Sequence, residues 1–178
     1  MSSFSTRPAA DTKVRAVVWA VAVQVWPLPV FAGVLLAWAL IWMTRSGDPV
    51  PASMAWLLLV KPAVPGLMLS FALHESAHVV CLKRIPTVTH ITIARTAWRT
   101  SVIPEGTMTA RQTAVVAVAG PFACALVGAL LWLPGLDRAL AWWYLAHLGF
   151  LLPCFGDGRA LLHGLRVRSR DGRRGRRG

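Results

Sequence analysis

Charge is scarce in this sequence. Only 15% of its 178 residues are Asp, Glu, Lys or Arg, against roughly 25% in an average soluble domain. Acidic side chains are scarcest, seven in all. Cysteine is also rare: Cys81, Cys124 and Cys154 are odd in number and lie in apolar runs, which excludes a disulfide scaffold. Intrinsic disorder of the whole chain is excluded by a hydrophobic content of 56%. The length suits one domain. What remains is a small membrane protein with a basic excess, 19 Lys+Arg giving a net charge of +12.

The uncharged runs mark out the spans. Twenty-nine consecutive positions separate Arg15 from Arg45, where a membrane helix needs about 20. Pro27 and Pro29 interrupt this run, predicting an interfacial or tilted segment over Ala16–Trp26 and a main span over Leu28–Met43. The run is too long for a cleaved signal peptide and lacks a small-residue cleavage site after a short core, so it reads as a retained anchor. A polar turn at Thr44–Ser53 precedes a second hydrophobic stretch, Ala55–Leu82, broken by Lys61, Pro62, Pro65 and then His74, Glu75 and His78. A third runs uncharged for 25 positions from Gln112 to Leu136 and a fourth for 18 from Ala139 to Gly156. Between the second and third, Arg84–Gly106 is rich in β-branched residues and predicts a two-stranded ribbon turning near Arg95–Ala97. Unpaired edges bar such a ribbon from bare lipid, so it must lie at the interface or against helices. The fold class expected is an all-α polytopic membrane protein of about four transmembrane segments, with a short membrane-associated β-ribbon between the second and third.

The basic residues then fall into order. Arg7, Lys13 and Arg15 precede the first span; Lys83, Arg84, Arg95, Arg99 and Arg111 flank the ribbon; seven Arg lie between 166 and 177. The opposite loops hold only Arg45 and Arg138. The positive-inside rule is met by a multi-pass protein of a bacterial plasma membrane with both termini cytoplasmic. The Arg tail carries an electrostatic footprint for nucleic acid or anionic lipid; with topology accounting for it, the partner expected is membrane lipid and no nucleic acid. Trp132, Trp142 and Trp143 flank the outer turn and Trp98 lies in the ribbon, positions that read as interface anchors.

One motif carries chemistry. His74-Glu75-Ser76-Ala77-His78 is HExxH. On a helix, residues i and i+4 share a face, so both imidazoles can converge on one metal ion. Glu75, beside the first ligand, can take a proton from a zinc-bound water. Two incidental histidines are the bland alternative, but an ionisable cluster within a span is a functional site by default. Zinc needs a third protein ligand. The candidates are Asp157, His147, His90, His163 and the three cysteines. Asp157 ends an apolar run on the side where the HExxH helix ends, and Gly156 and Gly158 allow a sharp turn there. Its bland readings are a turn residue or a partner for Arg159. His147, about three turns earlier on the same expected helix, reads as too far in height and as a packed core residue. His90 and His163 read as interfacial, and the cysteines as small apolar fillers.

Together, HExxH in a hydrophobic span, Ala119-Gly120-Pro121 opening the next and Leu151-Leu152-Pro153-Cys154-Phe155-Gly156-Asp157-Gly158 ending the last resemble the site-2 protease family of intramembrane zinc metalloproteases. The resemblance covers about residues 55–165. It implies His74, His78 and Asp157 as ligands of one Zn²⁺, Glu75 as general base, and hydrolysis of peptide bonds in or near the transmembrane segments of membrane-anchored protein substrates. With the spans and charge distribution above, the organisation expected is a cytoplasmic tail over 1–15, a transmembrane metalloprotease domain over 16–165 with its ribbon near 84–106, and a basic cytoplasmic tail over 166–178. An extended substrate could add a strand to the ribbon's edge. Three positions depart from the family pattern: Phe150 and Cys124 stand where Asn is usual, and Gly156 where Leu is usual. These motivate the alternative of a degenerate member acting as a metal-binding or helix-binding membrane adaptor.

Overall fold

The structure, a computed structural model, describes residues 3–96 and 100–174. In chain order these form β1 (Ser3–Pro8), α1 (Val14–Val25), α2 (Pro27–Ser46), α3 (Val50–Leu82), β2 (Val88–Arg95), β3 (Thr100–Gly106), α4 (Ala110–Trp132), α5 (Arg138–Leu151) and α6 (Gly156–Arg174). Helices α2, α3 and α4 are long and apolar enough to cross a membrane, and a fourth span results if α5 and α6, bent by 44° at a short break, count as one. Phe31, Val34, Trp38, Phe122, Leu126 and Leu130 on α2 and α4 stay exposed, more apolar surface than a water-soluble monomer shows and consistent with a membrane protein. The 12 residues of α1 reach only about 18 Å, too short to cross.

The prolines of the second hydrophobic stretch do not break it. Pro62 and Pro65 cannot donate backbone hydrogen bonds, and Trp56–Val60 and Pro62–Met68 widen into π-helical turns that keep α3 continuous over 33 residues. Regular α-helix resumes at Leu69 and carries HExxH. Lys61, an apparent interruption of this span, is paired: its ammonium lies 2.6 Å from the carboxylate of Asp137, at the head of α5.

The ribbon differs from expectation. It is a three-stranded antiparallel sheet in the order β1-β2-β3, because the segment expected as a tail supplies β1. β1 has no apolar alternation and every residue is exposed, so its strand state comes from pairing with β2 and not from its own pattern. Thr92 of β2 ties the three strands together, bonding Thr6 Oγ1 at 2.7 Å and donating to Glu105 Oε1 at 2.7 Å. On the other face Ile91 and Ile93 pack with Val17 of α1 and Val79 and Leu82 of α3. The expected turn at Arg95–Ala97, and Trp98 and Arg99, fall wholly or partly outside the described residues.

Pairing of β1 with β2 brings the N-terminal basic residues to the same end as the ribbon. The close approach of Gly164 on α6 to Ala110 and Ala114 of α4 brings α6 to that end as well. At the other end Trp132 and Trp142 meet edge to face at 5.1 Å, with Arg138 over the Trp132 ring.

The Lys61 ammonium and the Leu140 amide hold the Asp137 carboxyl below its ordinary range. A depressed carboxylate contributes stability above its unfolded pKa and loses it as pH falls through the folded value. Lys61→Ala should therefore lower thermal stability at pH 7 by about 1 kcal/mol or less. Wild type and variant should converge in detergent melts as pH drops through the carboxylate range; a gap independent of pH would contradict the pairing.

Candidate metal centre

Ser70, His74 and His78 follow one another at four-residue intervals on α3 and are buried together. This face packs on α4, which begins with a reciprocal cap between Thr109 and Gln112 and passes Gly120, Pro121 and Cys124, all buried. The third partner arrives from 79 residues beyond His78. After Leu151 the chain leaves helical geometry, Pro153 bars a simple continuation, and α6 starts at Gly156 with Asp157 in its first turn. A carboxylate there is favoured by the positive end of the helix. Gly158 is required at this corner, since a Cβ on it would run into the Leu152 carbonyl.

The three side chains converge. Asp157 Oδ2 lies 3.0 Å from His74 Nε2 and 3.5 Å from His78 Nε2, and the two Nε2 atoms are 3.1 Å apart. Tetrahedral zinc with ligands at about 2.0–2.1 Å sets its donors about 3.3 Å from one another, so the spacing matches. His78 Nδ1–H donates to the Val116 carbonyl at 2.8 Å, which leaves Nε2 as a bare lone pair facing the other donors. Gly120 leaves the backbone room the cluster needs. A Cβ on it would stand 2.6 Å from His78 Nε2 and 2.9 Å from His74 Nε2, in the space a shared cation would take. The residues present therefore fit a metal ion held by His74, His78 and Asp157.

Glu75 follows His74 on α3 and is half-buried. His90 and His163 are exposed and stand apart from these donors. His147 is a correction. Its ring lies 5.2 Å from that of His74, not several turns away. The expectation assumed one regular helix from His147 to Asp157; the chain instead tightens into 3₁₀ turns over Ala146–Leu151 and then breaks, so both residues reach His74. Pro153 and the two glycines around Asp157 were the sequence signal for that break. Phe150 packs 5.2 Å from the His74 ring and edge to face with Phe71 and Phe155. Cys124 points its thiol at the Ser70 carbonyl, 3.3 Å away.

No protein-family model, curated protein or solved structure matches this chain.

Gly120→Ala should weaken zinc binding at least about 10-fold in chelator competition while the circular dichroism of the helices persists. Unchanged affinity would mean the metal does not occupy the space between the imidazoles and Gly120.

Proposed function

We propose that this chain is an intramembrane zinc metalloendopeptidase of the site-2 protease kind, acting on membrane-anchored protein substrates. The observation that carries the reading is the meeting of both HExxH histidines with Asp157 within 3.0–3.5 Å, inside a bundle of candidate spans. Zinc held there would supply Lewis-acid polarisation of a peptide carbonyl and activation of water at neutral pH.

The chain's own residues do the rest. Asp157 neutralises part of the cation's charge where solvent is scarce, and the Val116 carbonyl fixes the tautomer of His78. Glu75, on the same helix, takes the proton of the attacking water and returns it to the leaving amine. Phe71, Phe150 and Phe155 exclude bulk water from the His74 side. A helical substrate must unwind first, because its own hydrogen bonds shield each peptide group. With β1 occupying one edge of β2, an unwound segment would add to the free edge of β3. An apolar groove of about 480 Å³ between α4 and α6, lined by Ala119, Phe122, Leu161 and Gly164 among others, offers a lateral approach past the residue preceding Gly120. The basic clusters of the sequence support a cytoplasmic side at the end of the bundle that carries the sheet.

The replacements at Phe150 and Cys124 favour a second reading, a member that keeps the metal and has lost proteolysis. Glu75→Gln separates the two. The protease reading expects the variant to bind zinc as wild type does and to lose at least about 100-fold in cleavage of a membrane-anchored reporter. Full cleavage by the variant would overturn the role of Glu75, and absence of cleavage by zinc-loaded wild type across membrane substrates would favour the adaptor.

A further inference from the structure

A second group of donors lies beside the first, one helical turn further from the sheet. His74, Cys124 and His147 each bring a ligand-capable atom within 4.8 Å of the other two. All three are buried, at 4%, 0% and 3% exposure. His147 Nδ1–H donates to the Trp143 carbonyl at 3.0 Å, so its Nε2 carries a lone pair; that atom is buried with no hydrogen-bond partner. His74 Nδ1 is likewise buried and unpartnered. Two orphaned nitrogens are costly to leave unpaired, and they stand beside a thiol whose one hydrogen bond goes to the Ser70 carbonyl.

We infer that His74 Nδ1, Cys124 Sγ and His147 Nε2 form a second, three-coordinate locus for a soft monovalent cation of the Cu(I) or Ag(I) class, competing with the His74–His78–Asp157 centre for His74. Softness follows from the thiolate. The single charge follows from the deeper burial: one monovalent cation and one thiolate sum to zero, whereas a divalent ion would leave a net charge without the solvent access that Asp157, 23% exposed, gives the first centre. Metal–donor bonds of about 2.1–2.3 Å put trigonal donors about 3.6–3.8 Å apart, within reach of small side-chain rotations. On loading, the Cys124 thiol releases its proton to solvent, with no change in oxidation state.

Competition follows from His74 itself. A neutral imidazole has one lone pair. Offered at Nε2 it serves the centre with Asp157; offered at Nδ1 it serves Cys124 and His147. A soft cation therefore moves the His74 proton from Nδ1 to Nε2 and withdraws a ligand from the first centre. The inference does not depend on proteolysis, and its test does not read it.

The test uses full-length protein with Cys81→Ser and Cys154→Ser, to remove the other thiols, purified in detergent and loaded with zinc. Cu(I) is delivered from a chelator buffer under argon, and zinc release is followed with a colorimetric indicator. Release of about one zinc per Cu(I) bound is expected, with a sulfur scatterer in the Cu X-ray absorption spectrum. Adding either Cys124→Ser or His147→Phe should raise the Cu(I) needed for half-release at least about 10-fold while zinc affinity in the absence of copper holds. A copper spectrum without sulfur in the protein that retains Cys124 would overturn the inference whatever the variants do. So would zinc release at unchanged Cu(I) in a variant that still binds zinc, since copper would then be entering the His-His-Asp centre directly.

Discussion

A carboxylate taken out of water is costly unless it is partnered, and Asp157 meets that cost by setting one oxygen 3.0 and 3.5 Å from two imidazoles. Much of the architecture follows from this contact. It joins α6 to α3 across 83 residues of chain, and it requires the break between α5 and α6 that turns Asp157 inward. It also forbids side-chain bulk on the facing helix. Three donors brought this close could share protons or hold one cation among them.

Small residues make the approach possible. Gly120 stands directly against both Nε2 atoms, Gly128 lets α4 meet Leu145 of α5, and Gly164 brings α6 onto Ala110 and Ala114. Helices in lipid gain no hydrophobic drive from associating, so close van der Waals packing along such small-residue faces holds them. α4 is thus the central wall: α3, α5 and α6 each lean on it at a glycine or alanine. The sheet clamps the same end of the bundle, its Ile91 face buried on Val17, Val79 and Leu82, and so fixes the last turns of the helix that carries HExxH.

Much of this was legible in the sequence, and what was not has physical causes. Long uncharged runs matched α2, α3 and α4 within about five residues, because an apolar helix of span length leaves little freedom of composition. HExxH and Asp157 stood out because so few other charges compete for notice. β1 was illegible: Ser3–Pro8 has no apolar alternation, and its strand exists only because β2 offers an edge. The nearness of His147 to His74 is hidden because a straight helix does not run through Ala146–Leu151, where the chain tightens and then breaks. The aromatic pocket at Phe150 was equally hidden; as a departure from a family motif it read as a loss, whereas in three dimensions it walls off the His74 ring.

The central claim is that His74, His78 and Asp157 hold a single metal ion. Zinc K-edge X-ray absorption on the purified full-length protein, loaded with one equivalent of zinc in detergent, tests it most directly. The account predicts only nitrogen and oxygen donors at about 2.0–2.1 Å, with the outer-shell scattering of two imidazoles, one of which disappears in His78→Ala. A sulfur shell at about 2.3 Å, or a spectrum unchanged by His78→Ala, would contradict it.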